Sequence, residues 1–203
     1  MKALIVTDVQ NDFCPEGALA VPEGHDVVPI INEIMEKFHF VVASQDWHPP
    51  GHLSFASQHE GKNPGDFIDL FGIEQLLWPD HCVQGTKGAA FFPDLHTHKF
   101  HQVFKKGVHK KVDSYSCFFE NDKQTPTGLK DYFEIKGVSR VYVCGLATDY
   151  CVKYTALDAV ICGFETYLIR DAARGVNLQQ GDVEKAIAEM AEKGVKIITS
   201  KVL

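Results

Sequence analysis

The chain has 203 residues, of which 45% are hydrophobic and 23% are charged, as is typical of a soluble globular domain with a full core. Its formal net charge of −7 argues against a nucleic-acid surface as the main function, because such a surface needs clustered positive charge. No segment approaches the roughly 20 apolar residues of a membrane span. A signal peptide would need a basic n-region and a longer apolar stretch than residues 3–6, so we expect none. We therefore expect a single domain over residues 1–203, cytoplasmic, without nucleic-acid or membrane partners. The sequence does not specify the oligomeric state, and a homo-oligomer is compatible with it.

Strand and helix patterns alternate along the chain, which is typical of an α/β fold with a parallel sheet. The patterns predict strands over residues 2–7, 38–44, 102–105, 139–144, 165–169 and 195–199. Helices are predicted over residues 27–37, 128–136 and 182–192, and after Cys151. The long stretch 45–92 has little regular pattern and is rich in aromatic residues and histidine, and loops of that length are usually functional or disordered. We expect a three-layer α/β/α sandwich around a mainly parallel, roughly six-stranded, Rossmann-like sheet.

Cys151 follows the apolar strand 139–144 and is predicted to lie in the first turn of a helix. Exposed N–H groups and the helix dipole stabilise a thiolate at that end of a helix. The six cysteines are irregularly spaced and include no CxxC pair, so neither a disulfide framework nor a zinc ribbon is indicated. Cys151 is therefore the candidate nucleophile.

Three further reactive side chains stand where predicted strands end. Asp8 follows the first strand, Asp46 the second and Lys106 the third. In an open parallel sheet, ligands bind at the C-terminal ends of the strands, so these side chains should converge with Cys151 on one edge. Asp8 is the carboxylate best placed to take the thiol proton, and Lys106 would favour both the carboxylate and the thiolate. Backbone N–H groups of the turn 146–151 would receive an oxyanion, which completes the outline of a cysteine-dependent acyl transfer.

A metal site is predicted from Asp46, His48 and His81, with His52 as a candidate fourth ligand. Asp46 and His48 are two residues apart, so both side chains point the same way in an extended segment. Mixed nitrogen and oxygen ligation suits one divalent ion, either Fe²⁺, Mn²⁺ or Zn²⁺.

Aromatic side chains lie near these motifs in the sequence, and they would suit the walls of a pocket for a flat ring. They are Phe13, Trp78, Tyr115 and Tyr150.

Five segments of the chain carry a resemblance to a known family. They are TDVQNDF at 7–13, DWHP at 46–49, WPDHCV at 78–83, FKKG at 104–107 and GLATDYCV at 145–152. In combination they resemble nicotinamidase/pyrazinamidase, a branch of the isochorismatase-like cysteine hydrolase superfamily. The resemblance implies a metal-dependent amidase that converts nicotinamide to nicotinate and ammonia through a cysteine thioester, in NAD salvage, and that also hydrolyses pyrazinamide.

The resemblance also implies roles for individual residues. The catalytic triad would be Asp8, Lys106 and Cys151. The oxyanion donors would be the backbone N–H groups of Ala147 and Cys151, beside a cis peptide at Leu146–Ala147. The metal ligands would be Asp46, His48 and His81, and His52 matches a histidine that is a ligand in some members. The substrate pocket would be formed by Phe13, Leu19, Trp78, Tyr115 and Tyr150.

Three alternatives remain open at this point. The first is a related cysteine hydrolase that acts on a ureido or carbamoyl amide, for which a ring-binding metal is unnecessary. The second is a non-haem iron oxygenase that uses the aspartate and the two histidines, but it leaves the placement of Lys106 and Cys151 unexplained. The third is a non-catalytic binding protein of the same fold, against which the intact triad argues.

Overall fold

The chain folds around one parallel sheet, and the computed structural model describes residues 1–203. The strands are β1 (Lys2–Thr7), β2 (Phe40–Asp46), β3 (Phe67–Leu70), β4 (Ile73–Leu76), β5 (Gln102–Lys106), β6 (Arg140–Leu146), β7 (Glu165–Arg174) and β8 (Lys196–Ile198). The helices are α1 (Val27–Met35), α2 (Leu129–Ile135), α3 (Lys153–Ile161) and α4 (Asp182–Glu192). None of the helices has the length and the apolar run that a bilayer crossing requires.

The main sheet has six strands in the order β5-β2-β1-β6-β7-β8, and every neighbouring pair is parallel. From β1 the chain first builds one side of the sheet, through β2 and β5, and then the other side from β6 onwards. The order therefore reverses between β1 and β6, and open parallel sheets bind ligands at such a switch point. The predicted six-stranded, mainly parallel sheet is confirmed.

Helices cover both faces of the sheet, because side chains along each strand alternate between the faces. On β1, Leu4 belongs to the core beneath α1, and Ile5 belongs to the core beneath α2, α3 and α4. Ile31 of α1 and Leu129 of α2 are completely buried in these two cores. Burial of a side chain of this size contributes about 1.5–3 kcal/mol. The three-layer α/β/α arrangement expected from the sequence is thus confirmed.

The stretch 45–92 contains a hairpin that the sequence patterns did not predict. Strands β3 and β4 pair antiparallel as a separate two-stranded sheet. Phe71 and Gly72 at its turn both have positive φ, 57° and 85°, which is the conformation of a tight hairpin turn. Each strand has only four residues, too few for a clear alternation to be read from the sequence.

Several element boundaries near the predicted site also differ from expectation, and two of them concern reactive residues. Strand β2 extends to Asp46, two residues beyond its predicted end, because Asp46 is in parallel register with Lys106 of β5. Cys151 lies in a π-helical turn, Thr148–Val152, just before α3 begins at Lys153. Such turns are frequent at functional sites.

Candidate active site and metal centre

The candidate catalytic side chains meet around the ammonium group of Lys106, which is fully buried. Its Nζ donates hydrogen bonds to Asp46 Oδ1 at 2.5 Å, to the Ser114 carbonyl oxygen at 2.8 Å and to Cys151 Sγ at 3.4 Å. An ammonium group has three protons, so these bonds use all of its donors. Asp8 is held by charge, with its Oδ2 at 2.9 Å from Lys106 Nζ. The topology thus brings the ends of four adjacent strands together, as the sequence predicted.

Asp8 has one carboxylate oxygen fixed and the other available for a proton. Ser44 Oγ donates to Asp8 Oδ1 at 2.6 Å, whereas the buried Oδ2 accepts no hydrogen bond. Burial raises the pKa of Asp8 above its usual range, although the charge of Lys106 partly offsets the effect. A carboxylate with a raised pKa accepts a proton more readily. Asp8 Oδ2 is therefore suited to act as a general base.

Cys151 is buried, and its environment keeps the resting side chain as a thiol. Burial raises the pKa of Cys151 well above the usual cysteine value; the charge of Lys106 opposes this increase, and that of Asp8 adds to it. The expectation of a stabilised thiolate rested on the helix start and on the charge of Lys106 and did not consider desolvation, which is the larger effect here. The thiol must therefore lose its proton to a neighbouring base before it can attack.

The backbone after β6 has the geometry that the resemblance implies. The Leu146–Ala147 peptide bond is cis, and the N–H groups of Tyr150 and Val152 both donate to the Ala147 carbonyl oxygen at 3.1 Å. These bonds hold the turn that contains Ala147 and Cys151, whose N–H groups are the predicted oxyanion donors. Gly145 precedes this turn with φ of 108°, and a Cβ there would lie 2.1 Å from the Thr7 carbonyl oxygen. Only glycine fits at this approach of β6 to β1.

Asp46, His48 and His81 form a buried group whose ligand atoms all lie within 4.8 Å of one another. Asp46 Oδ2 is 3.3 Å from His48 Nε2 and 3.4 Å from His81 Nε2. Burial opposes ionisation of Asp46, but the charge of Lys106 is the largest opposing effect, and the pKa of Asp46 lies well below its usual range. The carboxylate is therefore ionised and faces two imidazole nitrogens.

The hydrogen bonds of the two histidines show that these nitrogens are free to bind a cation. Nδ1 of His48 donates to the Gly107 carbonyl oxygen at 3.0 Å, and Nδ1 of His81 donates to the Pro79 carbonyl oxygen at 2.8 Å. This assigns the Nδ1 protons and leaves the Nε2 lone pairs directed toward Asp46. His48 Nε2 is buried and has no hydrogen-bond partner. Two imidazoles and a carboxylate in this arrangement fit a divalent metal ion.

His52 lies behind His48 and outside this ligand group. Its Nδ1 accepts from the Ser54 N–H at 3.1 Å, and its Nε2 donates to the His109 carbonyl oxygen at 2.9 Å. The ring centroids of His48 and His52 are 4.5 Å apart. Because both ring nitrogens are occupied, His52 offers no free ligand atom. Its ring packs against the ring of His48.

A small pocket is lined by Cys151 and by two of the three metal-ligand candidates, Asp46 and His81. All five predicted pocket residues line it: Phe13, Leu19, Trp78, Tyr115 and Tyr150. Trp78 Nε1 donates to the Tyr115 hydroxyl at 3.0 Å, and the rings of Trp78 and Tyr150 meet edge to face with centroids 4.8 Å apart. These contacts orient the aromatic walls around a space suited to a flat ring.

The sequence reasoning missed two other residues of this pocket, Asp113 and Val176. Asp113 Oδ1 is 3.9 Å from His48 Nε2, and its Oδ2 accepts from Gln75 Nε2 at 2.9 Å. The Val176 N–H donates to Asp149 Oδ1 at 2.9 Å, which holds the loop after β7 against the site. Both placements depend on contacts between distant segments, and no local pattern in the sequence signals them.

Comparison with known proteins places this site within a family. The isochorismatase domain family matches residues 2–202. A nicotinamidase from Escherichia coli is 46% identical over 202 residues, which cover 98% of this chain and 94% of that protein. The solved nicotinamidase/pyrazinamidase of Acinetobacter baumannii superposes with a TM-score of 0.96 at 47% identity, covering 99% of this chain and 97% of that one. The pyrazinamidase of Pyrococcus horikoshii, solved in complex with zinc, has a TM-score of 0.79 at 41% identity and 98% coverage of both chains. The chain therefore belongs to the isochorismatase domain family and, within it, to the nicotinamidases.

Proposed function

We propose that this protein hydrolyses the carboxamide of nicotinamide to nicotinate and ammonia, a step of NAD salvage, and that it accepts pyrazinamide by the same chemistry. The observation that carries the proposal is one pocket whose lining includes Cys151 and two members of the metal-ligand group, Asp46 and His81. A thiol nucleophile attacks the carbon of a carboxamide, and a metal ion binds the ring nitrogen of the same molecule.

The aromatic walls and the ligand group would position the substrate. Phe13 and Trp78 flank the pocket, so their apolar surfaces would hold a pyridine or pyrazine ring. A divalent ion held by Asp46, His48 and His81, of which Zn²⁺, Fe²⁺ and Mn²⁺ are the candidates, would supply a Lewis acid for the ring nitrogen, directly or through water. With the ring fixed, the carboxamide carbon faces Cys151.

In the first half of the reaction, Cys151 attacks the carboxamide. Asp8 Oδ2 takes the proton from Sγ, and the sulfur forms a bond to the carbonyl carbon. The N–H groups of Ala147 and Cys151 stabilise the resulting oxyanion. The C–N bond then breaks, Asp8 returns its proton to the departing nitrogen, and ammonia leaves a thioester on Cys151.

In the second half of the reaction, water hydrolyses the thioester. Asp8 takes a proton from the water, the resulting hydroxide adds to the thioester carbon, and the C–S bond breaks. The proton on Asp8 returns to Sγ, so the thiol is restored and nicotinic acid is released as nicotinate. Through both halves, the ammonium group of Lys106 holds Asp8 and Sγ within 3.4 Å of its positive charge.

The proposal is tested by measuring ammonia and nicotinate released from nicotinamide, before and after chelation of the purified protein. We expect equimolar products, loss of release on chelation and recovery with one of the three candidate ions. Asp8→Asn should lower turnover by about 10²- to 10⁴-fold, because the general base is lost. A folded, metal-loaded protein that hydrolyses linear carbamoyl amides but not nicotinamide would move the function to the alternative substrate class.

A further inference from the structure

The side chain of Gln10 pairs with the backbone of Asp46 through two hydrogen bonds. Oε1 accepts from the Asp46 N–H at 2.8 Å, and Nε2 donates to the Asp46 carbonyl oxygen at 2.8 Å. Nε2 also donates to the Ala89 carbonyl oxygen at 2.8 Å. Gln10 is completely buried, so water cannot replace these bonds. A side-chain amide bound in this way takes the place of the backbone of a neighbouring strand.

This pair of bonds stands where β1 leaves the sheet. The last paired residues of β1 and β2 are Val6 and Ala43, and Asp8 then turns the chain with φ of 46°. Asp46 lies beyond this point, with β5 beside it through its register with Lys106. On the β1 side, no strand backbone pairs with Asp46. Gln10 supplies the missing partner there.

The position of Asp46 matters because its two oxygens serve two different groups. Oδ1 accepts from Lys106 Nζ at 2.5 Å, whereas Oδ2 faces the Nε2 atoms of His48 and His81 at 3.3 and 3.4 Å. A displacement of the Asp46 backbone therefore alters both groups together. Functional groups must be held within about 0.5 Å of their productive positions.

We infer that Gln10 is a positioning residue that fixes Asp46 and thereby sets the geometry of the metal-ligand group relative to Lys106. The inference rests on the proposed function, in which Asp46 is a metal ligand. It predicts that loss of the Gln10 amide weakens metal binding even though Gln10 contributes no ligand atom.

Gln45 provides a matched control within the same structure. It is also buried, it is adjacent to Asp46 in the sequence, and its Nε2 donates to the same Ala89 carbonyl oxygen at 2.9 Å. Its side chain makes no hydrogen bond to the backbone of Asp46. Gln45→Met therefore removes a buried glutamine amide and a bond to Ala89 while leaving the Gln10–Asp46 pair intact.

The experiment measures the zinc affinity of metal-free wild type, Gln10→Met and Gln45→Met by competition with a chelator. We expect Gln10→Met to bind zinc about 10- to 100-fold more weakly than wild type, the loss usual for residues that orient metal ligands. Gln45→Met should stay near the wild-type affinity. Equal zinc affinities for the two variants would overturn the inference, because they would show that Gln10 supports only the fold.

A second variant keeps the test decisive if Gln10→Met does not fold. Gln10→Glu keeps the side-chain length and an oxygen for the Asp46 N–H, so its zinc affinity should lie between those of wild type and Gln10→Met. If only Gln10→Glu yields folded protein, a wild-type zinc affinity for it would overturn the inference.

Zinc binding is measured without substrate, so it separates this inference from the proposed function. A wild-type protein that binds zinc but releases no ammonia would refute the function and leave the comparison of Gln10 with Gln45 valid. A wild-type protein that binds none of the three candidate ions, Zn²⁺, Fe²⁺ and Mn²⁺, would overturn the inference itself.

Discussion

Lys106 Nζ lies 3.4 Å from Cys151 Sγ, and it is the positive charge that offsets the burial of this thiol. The same ammonium group is 2.9 Å from Asp8 Oδ2, the oxygen that accepts no hydrogen bond. Lys106 thus touches both the donor and the acceptor of the proton that must move. It also forms an ion pair with Asp46, so two buried carboxylates share one buried lysine.

Lys106→Met should both abolish turnover and destabilise the fold. Removal of one partner from a buried ion pair leaves an uncompensated charge and costs about 3–5 kcal/mol. Here two carboxylates, Asp8 and Asp46, would lose their partner. Chemical denaturation gives the free energy of unfolding. Lys105→Met is the control, since Lys105 is exposed and only stacks on Trp47 at 3.9 Å. Equal unfolding midpoints for the two variants would contradict the assigned role.

Cys151→Ala should lower turnover by at least about 10³-fold, because no other residue in the pocket can form the thioester. Its zinc affinity should remain that of wild type, since Cys151 is not one of the three candidate ligands. Steady-state kinetics and chelator competition measure the two effects separately. The control is Cys162→Ala, which changes a half-buried cysteine at the C-terminal end of α3 and should retain full activity. Substantial residual hydrolysis by Cys151→Ala would contradict the nucleophile assignment.

Gly107→Ala should weaken metal binding through the ring of His48. A Cβ at position 107 would lie 2.4 Å from His48 Cε1 and 2.6 Å from its Nδ1, so the ring must move. Gly107 has φ of 62° and also accepts the Nδ1 proton through its carbonyl oxygen. We expect zinc affinity to fall about 10- to 100-fold.

Gly61→Ala isolates the backbone strain from the clash at Gly107. Gly61 has a similar φ of 72°, but a Cβ there would meet nothing within 4 Å. Both variants therefore strain the backbone, and only Gly107→Ala displaces His48. If the two bind zinc equally well, the contact between Gly107 and His48 does not set the position of the ligand.

Glu120→Gln should stabilise the protein at alkaline pH and much less at acidic pH. Burial, reinforced by the charge of Asp113, raises the pKa of Glu120 to about 7, and Oε2 accepts no hydrogen bond. In the unfolded chain a glutamate titrates at roughly 4.3, so the folded state binds the proton more tightly. Stability is therefore lost as the pH rises from that value to about 7, and the loss is constant at higher pH.

A neutral glutamine at position 120 removes this loss. We expect a gain of about 2 kcal/mol at pH 8, equivalent to an increase in Tm of roughly 4–8 °C. Thermal unfolding at pH 5 and pH 8 measures it, with Glu60→Gln on the exposed surface as the control. A gain that is equal at both pH values would show that ionisation of Glu120 does not limit stability.

The sequence by itself determined the fold class, the approximate positions of the six strands of the main sheet and the chemistry of the residues near their ends. Hydrophobic periodicity is a local property, so alternating strands and helices can be recognised without knowledge of the fold. Asp8, Asp46 and Lys106, which lie at the ends of β1, β2 and β5, were therefore assigned to one edge of the sheet. The motifs around His48, His81 and Cys151 then specified the family.

Only the tertiary structure decided how these residues share their contacts. The strand order β5-β2-β1 brings the ammonium group of Lys106 into contact with both Asp46 and Asp8. Burial raises the pKa of the Cys151 thiol and outweighs the effect of the helix start. The exclusion of His52 and the support of Asp46 by Gln10 likewise depend on hydrogen bonds between segments distant in the sequence. Desolvation and hydrogen-bond partners are set by non-local packing, which no local periodicity encodes.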